Sequence, residues 1–539
     1  MSAAAGLPTG DARAATWALA AGPWDVLVVG GGITGAGILR AAASAGLRAL
    51  LVEQADFASG TSSRSSKLVH GGLRYLASGQ PKLTWESVRE RERLLRALPG
   101  LVEPLGFLMP TYRGDHPGRL TYAAGLAAYD LLSGGRTRHR HLARPEFELL
   151  APHLATDGLE GGFRYEDAQT DDARLTLRVL QAAVASGASA LNHVAAEGLL
   201  RDGHGEVVGA ELCDRVGGAT VEARARVVVN ATGAWADRLR AGLGGRPRIR
   251  PLRGSHLIFP AWRLPVAQAV SFLHPEDRRP VFAFPWEGVT LVGTTDVDGD
   301  PDEAPAISEA ETGYLLAAVA GRFPSLDLRL ADAIASLAGV RPVIGSGQAD
   351  PSKESRDHVV WDESGLLTVT GGKLTTFELI ARDALRAAHG RFDGAGVAAR
   401  AHGFAAAPIG PPHGQLPADL DPAPWRRLAG RYGPAAPGLL AAAGPDELAA
   451  VPGTQTLWAE VRWGARAEAV HHLDDLLLRR VRLGLLVAGG GREHLARVRE
   501  IAQPELGWDD ARWADEEAAY LGLWAQQHAV SDRSTEGAP

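Results

Sequence analysis

The residues Trp24-Asp25-Val26-Leu27-Val28-Val29 read as an almost wholly apolar strand, and the glycines that begin at Gly30 end it. A helix is expected directly afterwards over residues 34–45, closed by Gly46. Residues 47–52 form a second buried strand that ends on Glu53, so the segment is a βαβ unit of about the length a parallel crossover needs. Apolar residues recur at helical spacing over 85–98 and 173–186, and Val227-Val228-Val229 supplies another β-branched strand. Residues 250–345 break into short strand-like runs, at 256–259, 281–285 and 289–292, divided by Pro and Gly. A strand over 366–370 then leads into Gly371-Gly372 and a helix over 375–388, repeating the strand, glycine, helix order of the N-terminus.

This alternation predicts an α/β protein with a Rossmann-like dinucleotide-binding core, an interleaved mixed-sheet substrate domain and a C-terminal helical domain. Residues 1–23 are rich in Ala, Gly and Pro, lack the order of a secretory signal and are expected to be a disordered tail. Residues 24–402 hold the cofactor and substrate domains, with the substrate part mainly at 100–165 and 250–340. A Pro-, Gly- and Ala-dense stretch at 403–422 reads as a linker, and 423–530 as the helical domain, with helical patterning throughout 457–487. The residues beyond are expected to be disordered.

Composition narrows the classes. With 45% hydrophobic and 22% charged residues, the 539-residue chain is of the ordinary globular kind and exceeds what one core organises. A net charge of −7 argues against broad nucleic-acid binding, so phosphate chemistry must rest on a few placed cations. The single cysteine, Cys213, excludes an internal disulfide, a CxxC pair and a four-thiolate iron–sulfur cluster, and suits a reducing cytoplasm. No apolar run is long enough to suggest a membrane-spanning helix. His471-His472 and Asp474-Asp475 do not suggest a metal site, because adjacent helical side chains diverge.

The chemistry begins at Gly30-Gly31-Gly32-Ile33-Thr34-Gly35, where glycines let a pyrophosphate reach the helix N-terminus, and Glu53 is placed to hold ribose hydroxyls and to repel a 2′-phosphate. Next comes Thr61-Ser62-Ser63-Arg64-Ser65-Ser66-Lys67-Leu68-Val69-His70-Gly71-Gly72-Leu73-Arg74-Tyr75-Leu76. Further on stand Asp171-Asp172-Ala173-Arg174-Leu175, Asn230-Ala231-Thr232-Gly233-Ala234-Trp235, Gly254-Ser255-His256, Gly293-Thr294-Thr295-Asp296, Gly339-Val340-Arg341-Pro342 and Gly371-Gly372-Lys373-Leu374-Thr375-Thr376. With these motifs, in this order, residues 24–395 resemble the FAD-dependent, quinone-linked glycerol-3-phosphate dehydrogenases, and the C-terminal part is similar to that family's helical domain more loosely.

The resemblance implies oxidation of sn-glycerol 3-phosphate to dihydroxyacetone phosphate with FAD. It places Gly30, Gly32, Ile33, Thr34, Gly35, Glu53, Thr61, Ser62, Ser66, Lys67, Leu68, His70, Gly71, Gly72, Leu73, Ala231, Thr232, Gly233, Gly372, Leu374 and Thr375 along the cofactor. Arg74, Arg341, Arg356 and Lys373 are its candidate substrate cations, Lys373 also serving the flavin, and Tyr75 is a candidate hydrogen-bonding partner of the substrate. His256 is the candidate general base, a residue type able to shift its proton near neutral pH, with a hydrogen-bonded core histidine or a merely substrate-binding one as the alternative. Cys213 stands apart from every flavin motif, so the FAD is expected to be noncovalent.

Electrons are expected to pass to a membrane quinone from the cytoplasmic face. The apolar segment 119–132, followed by Arg136, Arg138 and Arg140, suits an anionic lipid surface, although a core helix beside a basic loop has the same pattern. An oxidase using oxygen, an amine or amino-acid oxidase and a noncatalytic flavoprotein remain the alternatives, and self-association stays open.

Overall fold

The computed structural model describes residues 6–77, 79–116, 118–133, 138–345, 347, 354, 357–392 and 420–530. Strand Trp24–Val29 is apolar on both faces and therefore sits where both are covered, inside an eight-stranded sheet. It pairs in parallel with Ala49–Val52 on one side and Thr220–Asn230 on the other. Ser189–Leu191 extends the first side, and Leu366–Gly371 with antiparallel His358–Glu363 extends the second. Val194–Arg201 and Val207–Asp214 add a meander against the first half of Thr220–Asn230. The helices Ile33–Ser44, Asp172–Ala185 and Phe377–Ala387 pack together over one face of this sheet.

The second sheet has ten strands and is mostly antiparallel. Ile249–Pro260 lies between Val289–Gly293 and Ala335–Ile344, while Val102–Tyr112 and Leu159–Thr170 form a long antiparallel pair toward the other end of the sheet. Successive residues of Ile249–Pro260 face opposite ways, as strand geometry requires. Ile258 enters the cluster shared with Val461, Leu476, Leu477 and Trp513 of the C-terminal helices, whereas Leu257 and Phe259 pack with Leu315 and Val319 of the helix Glu309–Arg322. The helical domain is thus one wall of the substrate sheet's core.

Two expectations change. A disordered tail over 1–23 is overturned from residue 6 onward, because Gly10–Ala18 is helical and Leu7 N–H donates to Ala467 O at 3.0 Å. The buried Arg13 holds this helix in place: its guanidinium donates to both Asp214 oxygens, at 2.9 and 2.7 Å, and to Asn192 O at 3.2 Å. Those partners are remote in sequence, which is why local composition did not show them. The helical patterning of 457–487 is also interrupted after Trp458–Ala467, and a π-type turn, Asp475–Arg480, follows. Asp475 restarts the chain there by accepting from the N–H groups of His471 and His472, each at 2.9 Å. Most of the expected linker and the residues after 530 lie outside the described residues, and Pro422–Tyr432 is already helical.

Candidate active site

The cofactor cradle is built where three strands of the first sheet end. Gly30 has φ 115°, and a Cβ there would stand 2.5 Å from Ala231 O, so only glycine lets the first strand turn against Ala231. Gly32 caps the helix Ile33–Ser44, Thr34 lies half-buried in its first turn, and Gly35 packs against Gly30 O. Ser62 Oγ accepts from Ile33 N–H at 2.9 Å, at the helix end where an anion is best placed. Glu53 accepts from Gly31 N–H at 2.7 Å and Ala55 N–H at 3.0 Å; burial pushes its carboxyl upward despite those donors. From the neighbouring strand, Asn230 Oδ1 accepts from Thr232 Oγ1 at 2.7 Å and so shapes the Ala231-Thr232-Gly233 bend. Thr370 Oγ1 donates to Gly233 O at 3.1 Å, tying that bend to the strand that ends in Gly371-Gly372. Leu374 and Thr375 then form the turn that opens Phe377–Ala387. Fingerprint glycines, a helix N-terminus and an acidic strand end thus converge as an adenine dinucleotide requires, so FAD fits these residues.

The 61–72 loop runs from this cradle to the second sheet. Thr61 Oγ1 donates to Val340 O at 2.5 Å, Leu68–Val69 pairs with Leu159–Thr170, and Gly71 N–H donates to Asp167 at 3.1 Å. Leu73–Ala77 follows as a short helix beyond Gly72; the Arg74 side chain and Arg356 lie outside what is described. His70 stacks on Tyr75 with ring centroids 6.4 Å apart. Lys373 Nζ lies 3.7 Å from the Tyr75 ring centroid and donates to Ser87 Oγ at 3.0 Å, which brings the second glycine motif onto the first loop. Lys67 lies in the same loop, and its fully buried ammonium donates to Asp172 at 2.9 Å and Ser63 O at 2.7 Å. Burial lowers its pKa to about 8. Its side chain braces the loop.

On the second sheet, His256 is opposite Gly293 on one neighbouring strand and Leu337 on the other. Its Nε2 is 2.9 Å from Ser66 Oγ, so the candidate base and the cofactor loop meet. Arg341 donates to Asp296 at 3.0 Å and Thr294 Oγ1 at 2.9 Å. Its guanidinium lies where a side chain on Gly254 would stand, 2.1 Å from a built Cβ. Burial, then the charges of Arg341 and Lys67, lower the His256 pKa to about 3. This corrects the expectation of a proton shift near neutrality: the histidine is a neutral imidazole throughout the physiological range.

Three contributors were not singled out from sequence as site supports. Glu311 accepts from Ser255 Oγ at 2.8 Å and Thr295 Oγ1 at 2.6 Å, bracing the residues beside His256 and Asp296. Its Ser308-x-x-Glu311 capping box was legible, but its reach across the sheet was not. Asp172 accepts from Ser65 and Lys67 of the 63–67 loop, and Arg482 donates to Asp172 and to Ser63 O. Asp56, His193 and Asp475 approach one another closely enough for a shared ion, yet Arg479 and Arg480 already donate to the two carboxylates.

This architecture and cradle define a FAD-dependent oxidoreductase, and residues 25–378 match the family described as FAD dependent oxidoreductase. Residues 387–513 match the C-terminal domain of alpha-glycerophosphate oxidase. The chain belongs to the FAD-dependent glycerol-3-phosphate dehydrogenase and oxidase family. It is 37% identical over 529 residues to glycerol-3-phosphate dehydrogenase 2 of Mycobacterium tuberculosis, covering 94% of this chain and 89% of that protein. It is 40% identical over 364 residues to the aerobic glycerol-3-phosphate dehydrogenase of Staphylococcus epidermidis; that match covers 66% of this chain and 65% of the relative's length. Among solved structures, the glycerol-3-phosphate dehydrogenase from Bacillus halodurans complexed with FAD superposes with a TM-score of 0.72 at 29% identity, over 94% of this chain and 96% of that one.

Proposed function

We propose that the protein oxidises sn-glycerol 3-phosphate to dihydroxyacetone phosphate and passes the electrons to a membrane quinone. The observation that carries the substrate reading is the Ser66–His256 contact with the Arg341 charge acting on that histidine, while Lys373 lies over the Tyr75 ring just beyond the loop. Arg341 offers a planar fork to a phosphate, which must compete with Asp296 for it. Burial is the main cause of the low His256 pKa, and the charges of Arg341 and Lys67 add to it. A dianion at Arg341 offsets that second contribution and so makes the imidazole a better proton acceptor for the C2 hydroxyl. When bound, FAD supplies the acceptor for the C2 hydride. Lys373 places positive charge beside the second glycine motif, where negative charge gathers on reduction. Glycerol 3-phosphate is expected to bleach the flavin within seconds under anaerobic conditions; an unchanged flavin spectrum rejects the reading, and bleaching by an amine or amino acid alone replaces it.

The FAD is expected to be noncovalent. Cys213 lies in the Val207–Asp214 meander opposite Thr220, on a different part of the sheet from the glycine cradle. Acid precipitation should leave yellow flavin in the supernatant, and flavin carried down with the protein shows a covalent bond.

The acceptor reading is supported by the helix Arg119–Leu132. It buries Leu126 and Tyr129, while Leu120 and Leu131 are each 81% exposed and Ala124, Ala127 and Ala128 share their exposed side. An apolar stripe outward and an anchored face inward suit a helix lying in a lipid interface. Arg138 and Arg140 are exposed just beyond, though Arg140 pairs with Glu146, and Arg136 lies outside the described residues. None of the described helices is long and apolar enough to cross a membrane. Leu120→Glu with Leu131→Glu should abolish binding to anionic liposomes and reduce quinone turnover at least about fivefold, with anaerobic flavin reduction unchanged. Unaltered liposome binding removes this helix from the contact. Oxygen as acceptor is the second reading, favoured by the oxidase-type C-terminal match. Oxygen turnover equal to quinone turnover in a side-by-side assay decides for it.

A further inference from the structure

We infer that Arg482, in the C-terminal helical domain, is a positioning residue for the Ser66–His256 pair, an inference that rests on the functional reading above. Arg482 is 1% exposed and adopts a left-handed φ of 63°, unusual for a residue with a long side chain. Its guanidinium donates to Asp172 Oδ1 at 2.6 Å, to Ser63 O at 3.1 Å and to Leu478 O at 2.6 Å, and its Nε is 3.2 Å from Asp171. Asp172 is fully buried, and its other oxygen accepts from the N–H and Oγ of Ser65, at 2.9 and 2.7 Å. Lys67 closes the arrangement from the far side of Ser66, bonding both Asp172 oxygens at 2.9 Å. The residues before and after Ser66 are therefore tied to one carboxylate, and that carboxylate is tied to the helical domain.

The geometry leaves Ser66 little freedom of its own. Its Oγ meets His256 Nε2 at 2.9 Å only while Ser65 and Lys67 keep their bonds to Asp172. The charges that act on His256 are those of Arg341 and Lys67, while Arg482 and Lys67 stand about Asp172, with Asp171 beside Arg482 and Arg431 donating to Asp171 at 2.9 Å from the helix Pro422–Tyr432. Lys67 and Arg482 also lie 5.3 and 5.4 Å from the Trp286 ring, which packs them against the second sheet. Without the guanidinium, Asp172 keeps Lys67 as its cation but loses the tie to the helical domain. The loop then shifts relative to a histidine that belongs to a different sheet. Arg341 is held by Asp296 and Thr294 and Lys373 by Ser87, bonds that Arg482 takes no part in, so substrate affinity should survive while the alignment needed for proton removal does not.

Holoenzyme carrying Arg482→Met should retain FAD and a glycerol 3-phosphate dissociation constant within about twofold of the parent, while the limiting rate of anaerobic flavin reduction falls at least about tenfold. Arg482→Lys, which keeps the charge, should recover most of that rate. Hydrogen exchange of the amides in the 63–67 segment should accelerate in Arg482→Met, a readout independent of turnover. Should Arg482→Met not fold, Ser65→Ala, which removes one bond to Asp172, is read for the same split between affinity and limiting rate. A parental limiting rate, or a rate that falls only in proportion to lost FAD, overturns the positioning role. Failure of the parent enzyme itself to be bleached by glycerol 3-phosphate instead rejects the functional reading, and the exchange measurement still reports whether Arg482 holds the loop.

Discussion

Arg341→Ala is expected to lower the second-order rate constant for flavin reduction by glycerol 3-phosphate about 10- to 100-fold, the loss attached to one charge-assisted contact. FAD should stay bound, because Arg341 is on the substrate sheet and its bonds to Thr294, Thr295 and Asp296 hold it there, on a different sheet from the glycine cradle. Lys373→Ala should slow reduction by at least about tenfold, and there the limiting rate should fall with the affinity, since the ammonium is placed to serve the reduced flavin as well. Stopped-flow reduction under anaerobic conditions separates the two. Wild-type constants in both variants would take these residues out of the site.

A second large effect is expected in mild acid. Burial lowers the pKa of His256 and of His528 to about 3, and that of His471 to about 4. Above the ordinary imidazole value both folded and unfolded chains hold these groups neutral, so they contribute nothing to the pH dependence. Below about pH 6.5 the unfolded chain takes up protons that the folded one refuses, and stability falls as pH falls until the folded values are reached. At about pH 5 this amounts to roughly 2 kcal/mol for each fully buried histidine, or about 4 kcal/mol for His256 and His528 together, with His471 acting in the same direction. His358 and His472 oppose it, because carboxylate partners raise their pKa against burial. The buried carboxylates held low by arginines enter only at more acid pH. Thermal midpoints of the holoenzyme should therefore drop between pH 7 and pH 5, and His528→Asn, which keeps a donor toward Ser336 O, should flatten the drop. Midpoints that stay level over that interval would show that these histidines are not held neutral.

The comparison of sequence with structure is sharpest at the 61–72 loop. Its hydroxyls and glycines were readable as a cofactor segment, and Ser62 and Thr61 do sit between the fingerprint helix and the second sheet. Lys67 was read in the same way from the same run, but its ammonium is spent on Asp172. A linear motif records which residues share a segment and not which way each side chain leaves it. The same limit explains His256, whose residue type suggested titration near neutrality while its surroundings hold it neutral.

Local sequence was enough to specify the βαβ cradle and the order of the glycine motifs. Each is a local requirement: a left-handed turn needs glycine at Gly30, and a strand covered on both faces needs an apolar run such as Trp24–Val29. The contacts of His256 with Ser66, of Arg13 with Asp214 and of Arg482 with Asp172 arose from the packing of the folded chain. These contacts join residues separated by 190, 201 and 310 positions, and they depend on the packing of two sheets and a helical domain that no local periodicity specifies. Burial set the protonation of His256 and Lys67 for the same reason: a pKa follows from the charges and solvent excluded around a group, and those come together only when the chain has folded.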